Sequence, residues 1–232
     1  MRKLGLIGGV SWAATESYYR MINAEVQRRA GPTCSPPLVL ESLNACDLLR
    51  LSTDEEWARA AEIVGGAARR VEAAGASALL ICSNAMYKIE EEVQAQLSIP
   101  VINIVDPLGR AMKAAGVRTA ALLGTRNVMA ERWYRQRLVG HGVSLVPAEV
   151  EHIELLDHII YDELMRGEID KASERDMKTL LTKFDQRDVD AVALASTELS
   201  MIVDVDANVL PIYDSTRLHA LEGVAWILGD TP

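Results

Sequence analysis

The sequence predicts an α/β protein made of two similar doubly wound parallel-sheet units. Three observations predict it. Short apolar, β-rich runs alternate with helical stretches, the pattern of parallel strands joined by right-handed crossovers. The runs are near-continuous in apolar residues, as in strands covered on both faces. Segments of the first half also return in the second half in the same order.

The predicted strands are "KLGLIGG" (3–9), "PLVLES" (37–42), "SALLICS" (77–83), "PVINIV" (100–105), "TAALLG" (119–124), "VSLVPA" (143–148), "AVALAS" (191–196) and "VLPIYD" (209–214). Helical stretches separate most of them. The clearest is "STDEEWARAAEIVGGAARRVEAAG" (52–75), with Ser, Thr and Asp at its start, Glu in the first turn, apolar residues at helical spacing and Gly at its end. No long linker or low-complexity segment interrupts the series.

The repeat has three parts. "LGLIGGVSWAATESYYR" (4–20) is echoed by "AALLGTRNVMAERWYR" (120–135), each a strand, a Gly turn, a helix start and then Glu-x-aromatic-Tyr-Arg. "SALLICSNAMYKI" (77–89) is echoed by "AVALASTELSMIV" (191–203), and "IPVINIVDPLGRA" (99–111) by "NVLPIYDSTRLHA" (208–220), the last pair matched on Asp106 and Asp214. Gly8 lies 75 residues before Ser83, and Gly124 lies 72 before Ser196. The expected units are residues 1–104 with 214–232, and residues 105–213. They read as Rossmann- or flavodoxin-like units related by pseudo-two-fold symmetry, with the active site between them.

Composition narrows the function. The 232 residues are 49% apolar and 25% charged, which suits one or two compact domains with a real core. A net charge of −9 argues against nucleic-acid and anionic-membrane partners, so an anionic substrate must be drawn in by local N–H groups or a few Arg residues. The opening "MRKLGLIGGVSW" does not read as a signal peptide. No run of about 18 apolar residues proposes a transmembrane span. Cys34, Cys46 and Cys82 have no framework spacing and read as free thiols in a reducing cytoplasm. The four His are scattered and Cys-x-x-Cys is absent, so no metal site is proposed. "GG" at 8–9 lacks the spaced glycines and downstream acid of a dinucleotide fingerprint. No cofactor is expected; the implied partner is a small-molecule substrate.

Ligands of open α/β sheets bind at the carboxyl ends of the strands. Two facing units would bring Ser83 and Ser196 to a shared cleft, each at a helix start. Inverting a carbon centre needs one group to take a proton from one face and another to deliver a proton to the opposite face. Two facing acid/base residues fit that need. Groups in "SNA" and "STE" would hold substrate carboxylates and the developing enolate-like charge.

These residues resemble the cofactor-independent aspartate/glutamate racemases, whose wider relatives include hydantoin racemase, maleate isomerase and arylmalonate decarboxylase. "GLIGGVSWAATESYYRMIN", "LLGTR" (122–126), "IIYDELMRGEI" (159–169) and "PIYDSTRLHA" (211–220) carry the resemblance, which spans essentially the whole chain. The family's two catalytic cysteines map to Ser83, before Asn84, and to Ser196, before Thr197 and Glu198. The resemblance implies an amino-acid racemase needing neither pyridoxal phosphate nor metal, and a homodimer. Ser83 and Ser196 are the catalytic candidates; Ser11, Asn84, Ala85, Thr125, Thr197 and Glu198 are the substrate-binding candidates.

The departures from the family pattern have chemical weight. A thiol titrates near about 8.5 and can be lowered at a helix N-terminus, whereas a hydroxyl does not readily ionise. Two serines imply slow proton transfer. Ala85 stands in place of a common Thr, Tyr87 of a His, Val128 of a Thr and Ala13 of a Glu. They leave open a related isomerase, hydrolase or decarboxylase of small carboxylic acids, or a homologue that binds dicarboxylates without turnover. Cys82, one residue out of phase with Ser83, is expected to point away from the cleft. Asp106 and Asp214 are expected to cap helices, His158 and His219 to pack on apolar helix faces, and "EEE" (90–92) to be solvated. Arg126 is a candidate charge partner for a substrate carboxylate or, equally, a solvated surface residue.

Overall fold

The computed structural model describes residues 1–206 and 208–230. They form two compact units, Met1–Asn103 with His219–Pro232, and Ile104–Leu218.

The first unit opens with β1 (Leu4–Gly8), α1 (Trp12–Ala30), β2 (Leu38–Ser42), α2 (Asp54–Ala73) and β3 (Ala78–Ile81). A 3-10 turn (Ala85–Ile89) and short helix α3 (Glu90–Gln94) follow. The strands form a parallel sheet in the order β2-β1-β3, with Ile7 opposite Ile81. One sheet face places Leu4, Leu6, Ala78, Leu80 and Cys82 against Tyr18, Ile22 and Val26 of α1. On the other, Gly5 admits α2: a Cβ there would lie 2.3 Å from Val71. The stretch over 52–75 forms α2, whose Thr53 and Glu56 make a reciprocal capping box.

The second unit holds α4 (Val105–Ala114), β4 (Thr119–Gly124), α5 (Arg126–Ala130), α6 (Arg132–Gly140), β5 (Ser144–Leu145), α7 (Val150–His158), α8 (Lys171–Asp185), β6 (Ala191–Ala195) and β7 (Ile212–Asp214). Helix α9 (Ser215–Leu228) begins here and ends in the first unit. The parallel sheet runs β5-β4-β6-β7. Ala121, Leu123, Val192 and Leu194 face a core supplied largely by α7 and α8, including Leu156, Met177, Leu180 and Phe184.

The two sheets share one topology. Val101 bridges Leu79 in parallel, as Ile212 pairs with Val192, so the first unit carries the stub of a strand where the second has β7. The predicted strand over 100–105 is therefore reduced to a bridge, because α4 already starts at Val105. Pairing also corrects two details of the repeat. With Val101 equivalent to Ile212, Asp214 matches Asn103, and Asp106 falls inside α4. Aligning Gly8 with Gly124 makes Tyr134 the counterpart of Tyr18, not Tyr19: both are fully buried, while Tyr19 is 53% exposed.

The chain's return to the first unit comes after Leu218, later than the expected 214. Side chains in the first turns of α9 explain the place. Ser215 bonds the Tyr134 side chain of the second unit, whereas His219 bonds Tyr18 of the first.

Candidate active site

Each unit sets one serine beyond the carboxyl end of a strand, β3 in the first and β6 in the second. Ile81 pairs with Ile7, and Leu194 pairs with Leu123. Ser83 and Ser196 each stand two residues beyond those partners, so the two hydroxyls hold equivalent positions. Both residues are buried. The intervening residue has the opposite strand parity. Cys82 accordingly enters the first unit's core, where burial pushes its thiol far above the ordinary range. It is a packed apolar residue and no base.

The surroundings of the serines differ. Ser196 Oγ donates to Glu198 Oε2 at 2.7 Å, and Glu198 itself is 3% exposed. Among the described residues no ion pair engages Glu198. Gly124 closes the space beside this turn: a Cβ there would lie 2.6 Å from the carbonyl of Ala195, which directly precedes Ser196. The position equivalent to Glu198 in the first unit is Ala85, half-buried and without polar side-chain atoms. Among the described residues no hydrogen bond engages the Ser83 hydroxyl.

The first turn is braced instead by Tyr87. Its hydroxyl accepts from Ile81 N–H at 3.1 Å and donates to Ile102 O at 2.9 Å. His219 Nε2 lies 2.8 Å from the same carbonyl, and Tyr18 Oη lies 2.7 Å from His219 Nδ1. Complete burial lowers the His219 pKa to about 4. A neutral ring that donates from Nε2 accepts at Nδ1, so Tyr18 is the donor there. The sequence flagged Tyr87 and His219 separately; their union across 132 residues had no local signal.

The other candidates fall as follows. Ser11 is the N-cap of α1 and accepts from Ala14 N–H at 3.3 Å, leaving its hydroxyl proton available. The Thr125 hydroxyl is buried and has no hydrogen-bond partner among the described residues. Asn84 heads the 3-10 turn without capping it through its side chain, and Thr197 is buried between Ser196 and Glu198. Ser83, Asn84 and Ala85 belong to one unit with Ser11; Ser196, Thr197 and Glu198 belong to the other with Thr125.

Several expectations need correction. Of the two readings of Arg126 the surface one fits, since it pairs with Asp157 and is half exposed. Asp106 is no cap: it lies within α4 and holds Arg137 and His141 at 2.7 and 3.0 Å. Its counterpart expectation fits, because Asp214 Oδ1 accepts from Thr216 N–H at the start of α9. His158 is not packed. Its side chain is 64% exposed, 3.1 Å from Asp162, because its side of α7 faces solvent. Glu91 and Glu92 are solvated, but Glu90 is half-buried and accepts from Asn103. Among the described residues no group of three or more His, Cys, Asp or Glu is placed to hold a metal ion, and no helix is long and apolar enough to cross a membrane. A separate cavity of about 420 Å³ in the first unit, lined in part by Trp57, Lys88 and Glu92, includes none of the candidates.

Two α/β units of one parallel-sheet topology, each with a buried serine just beyond the carboxyl end of a strand, define a class of two-unit α/β proteins. The chain belongs to the Asp/Glu/Hydantoin racemase family, whose model matches residues 7–222. It is similar to a Yersinia pestis protein whose assignment as an Asp/Glu racemase is provisional, with 31% identity, a TM-score of 0.88 and coverage of 98% of this chain and 100% of that one. An aspartate racemase homologue from Pyrococcus horikoshii OT3 is 26% identical, with a TM-score of 0.82 and coverage of 98% and 100%. The aspartate racemase of Picrophilus torridus shares the fold at 16% identity, with a TM-score of 0.75 and coverage of 98% and 94%.

Proposed function

We propose that the chain is an amino-acid racemase of the aspartate/glutamate type, working without a cofactor, in which Ser83 and Ser196 are the two acid/base groups for the α-proton. The observation that carries the reading is the equivalence of the two hydroxyls in register, one per unit. Racemisation needs two such groups, one for each face of the carbon. Ser11, Asn84, Thr125 and Thr197 offer donors for the substrate carboxylates, and the unused Thr125 hydroxyl is the strongest support among them. Ala85 offers only its backbone. The names borne by the aspartate racemase relatives support the substrate class.

The test is the circular dichroism of L-aspartate, D-aspartate, L-glutamate and D-glutamate, each incubated with the protein. The expected result is a slow decay of ellipticity for one amino acid, lost in Ser83→Ala and in Ser196→Ala. Constant ellipticity for all four at stoichiometric protein would contradict the amino-acid reading.

A further inference from the structure

We propose that Glu198 receives the proton of Ser196 during substrate deprotonation, and that this makes α-proton exchange one-sided. The proposal rests on the racemase reading of the two serines. Its own basis is the contrast between two equivalent turns. In the second unit the Ser196 hydroxyl is bonded at 2.7 Å to a buried carboxylate. In the first, the residue two beyond Ser83 is Ala85, and among the described residues no acceptor takes the Ser83 proton.

The step balances as a relay. The substrate Cα–H bond breaks, and its electron pair passes into the substrate carboxyl group. The released proton forms a new O–H bond at Ser196 Oγ as the existing Oγ–H bond breaks toward Glu198 Oε2. Ser196 is neutral before and after, so no free alkoxide forms. Glu198 ends as a neutral acid. Reversal, after Glu198 exchanges its proton with solvent, returns a solvent hydrogen to the same face. The product of one cycle is therefore the starting enantiomer carrying a solvent hydrogen. Inversion needs Ser83 to act as well, and among the described residues Ser83 has no such acceptor. Glu198 acts through Ser196 and is a positioning residue and proton acceptor for it.

The experiment is proton NMR of single enantiomers of aspartate and glutamate with the protein in D₂O. One enantiomer of a pair is expected to lose its α-proton signal at least about tenfold faster than its mirror image. Glu198→Gln should lower that rate about a hundredfold or more, the scale of a lost general base. Glu198→Asp should keep part of it, and Ala85→Glu should raise exchange of the slower enantiomer. Equal rates for both enantiomers, or an unchanged rate in Glu198→Gln, would overturn the relay while leaving the racemase reading in place. If no enantiomer exchanges, that reading fails for these substrates and the relay is judged by a small sulfonyl fluoride. This reagent forms an Oγ–S bond, expels fluoride and passes the hydroxyl proton to the base. Peptide mass spectrometry should find Ser196 modified at least about tenfold more than Ser83, with the modification lost in Glu198→Gln. Equal modification of both serines, or none at Ser196, would overturn the relay.

Discussion

The turn after β3 and the turn after β6 carry the same residue at the same register position, yet they are built to different ends. The first turn is tied by side-chain hydrogen bonds. Tyr87, four residues beyond Ser83, bonds the backbone of Ile81 and Ile102 and shares that carbonyl with His219. The second turn has Ser200 at the matching position, and its own serine is tied to a carboxylate. One turn holds a hydroxyl in place; the other also gives that hydroxyl somewhere to send its proton. A repeat in topology thus does not make a repeat in chemistry. The residues two and four beyond each serine decide what the serine can do.

The change with the largest expected effect erases that difference. Ser83→Cys with Ser196→Cys replaces two hydroxyls that do not readily ionise by thiols that titrate near about 8.5. Inversion of the preferred amino acid should then rise about a hundredfold or more, as read by circular dichroism, because each side carries its own ionisable group. An unchanged rate would mean that the serine positions are not the acid/base positions.

The brace of the first turn can be stressed by acid. His219 is neutral in the folded state with a pKa of about 4, below the ordinary value of 6.5. Its contribution is fully present above about pH 6.5 and is lost as pH falls toward 4, because the unfolded state then binds a proton that the folded state refuses. The shift corresponds to about 3 kcal/mol. Urea unfolding between pH 7 and pH 4 should show this loss, and His219→Gln should flatten it. An equally steep loss in His219→Gln would place the acid sensitivity elsewhere.

A smaller effect separates the tyrosine from the histidine. Tyr87→Phe removes the acceptor for the Ile81 N–H and one donor to Ile102, and leaves a buried backbone group unbonded. That should cost about 2 kcal/mol in urea unfolding. The matching Ser200→Ala, whose hydroxyl bonds Thr197 O at 3.3 Å, should cost less than about 0.5 kcal/mol. Equal costs would remove the distinction between a braced turn and an unbraced one.

The architecture was legible in sequence because apolar period and glycine position are local signals. The runs over 3–9, 37–42, 77–83, 119–124 and 191–196 all became strands, and 52–75 became α2 with its cap. The strand over 100–105 was over-read, since an apolar run that opens a helix looks the same as one that stays extended. Cys82 was read correctly from strand parity alone. His158 was misjudged, because apolar neighbours on a helix do not reveal which side faces solvent. At the candidate site, the equivalent placement of Ser83 and Ser196 was legible from the repeat. The bond from Ser196 to Glu198 is only two residues long, but nothing in the letters distinguishes it from an ordinary helix start. The assembly of Tyr18, Tyr87 and His219 depends on tertiary packing across the length of the chain, which no local pattern encodes.

The most direct test of the central claim follows deuterium in a single D₂O incubation of one enantiomer, with both enantiomers recovered by chiral chromatography and weighed by mass spectrometry. A relay through Ser196 and Glu198, with no matching acceptor for Ser83 among the described residues, predicts deuterium accumulating in the recovered starting enantiomer faster than inverted product forms. If deuterium appears only in the inverted product while the starting enantiomer keeps its protium, the two sides act as equals and the account is contradicted.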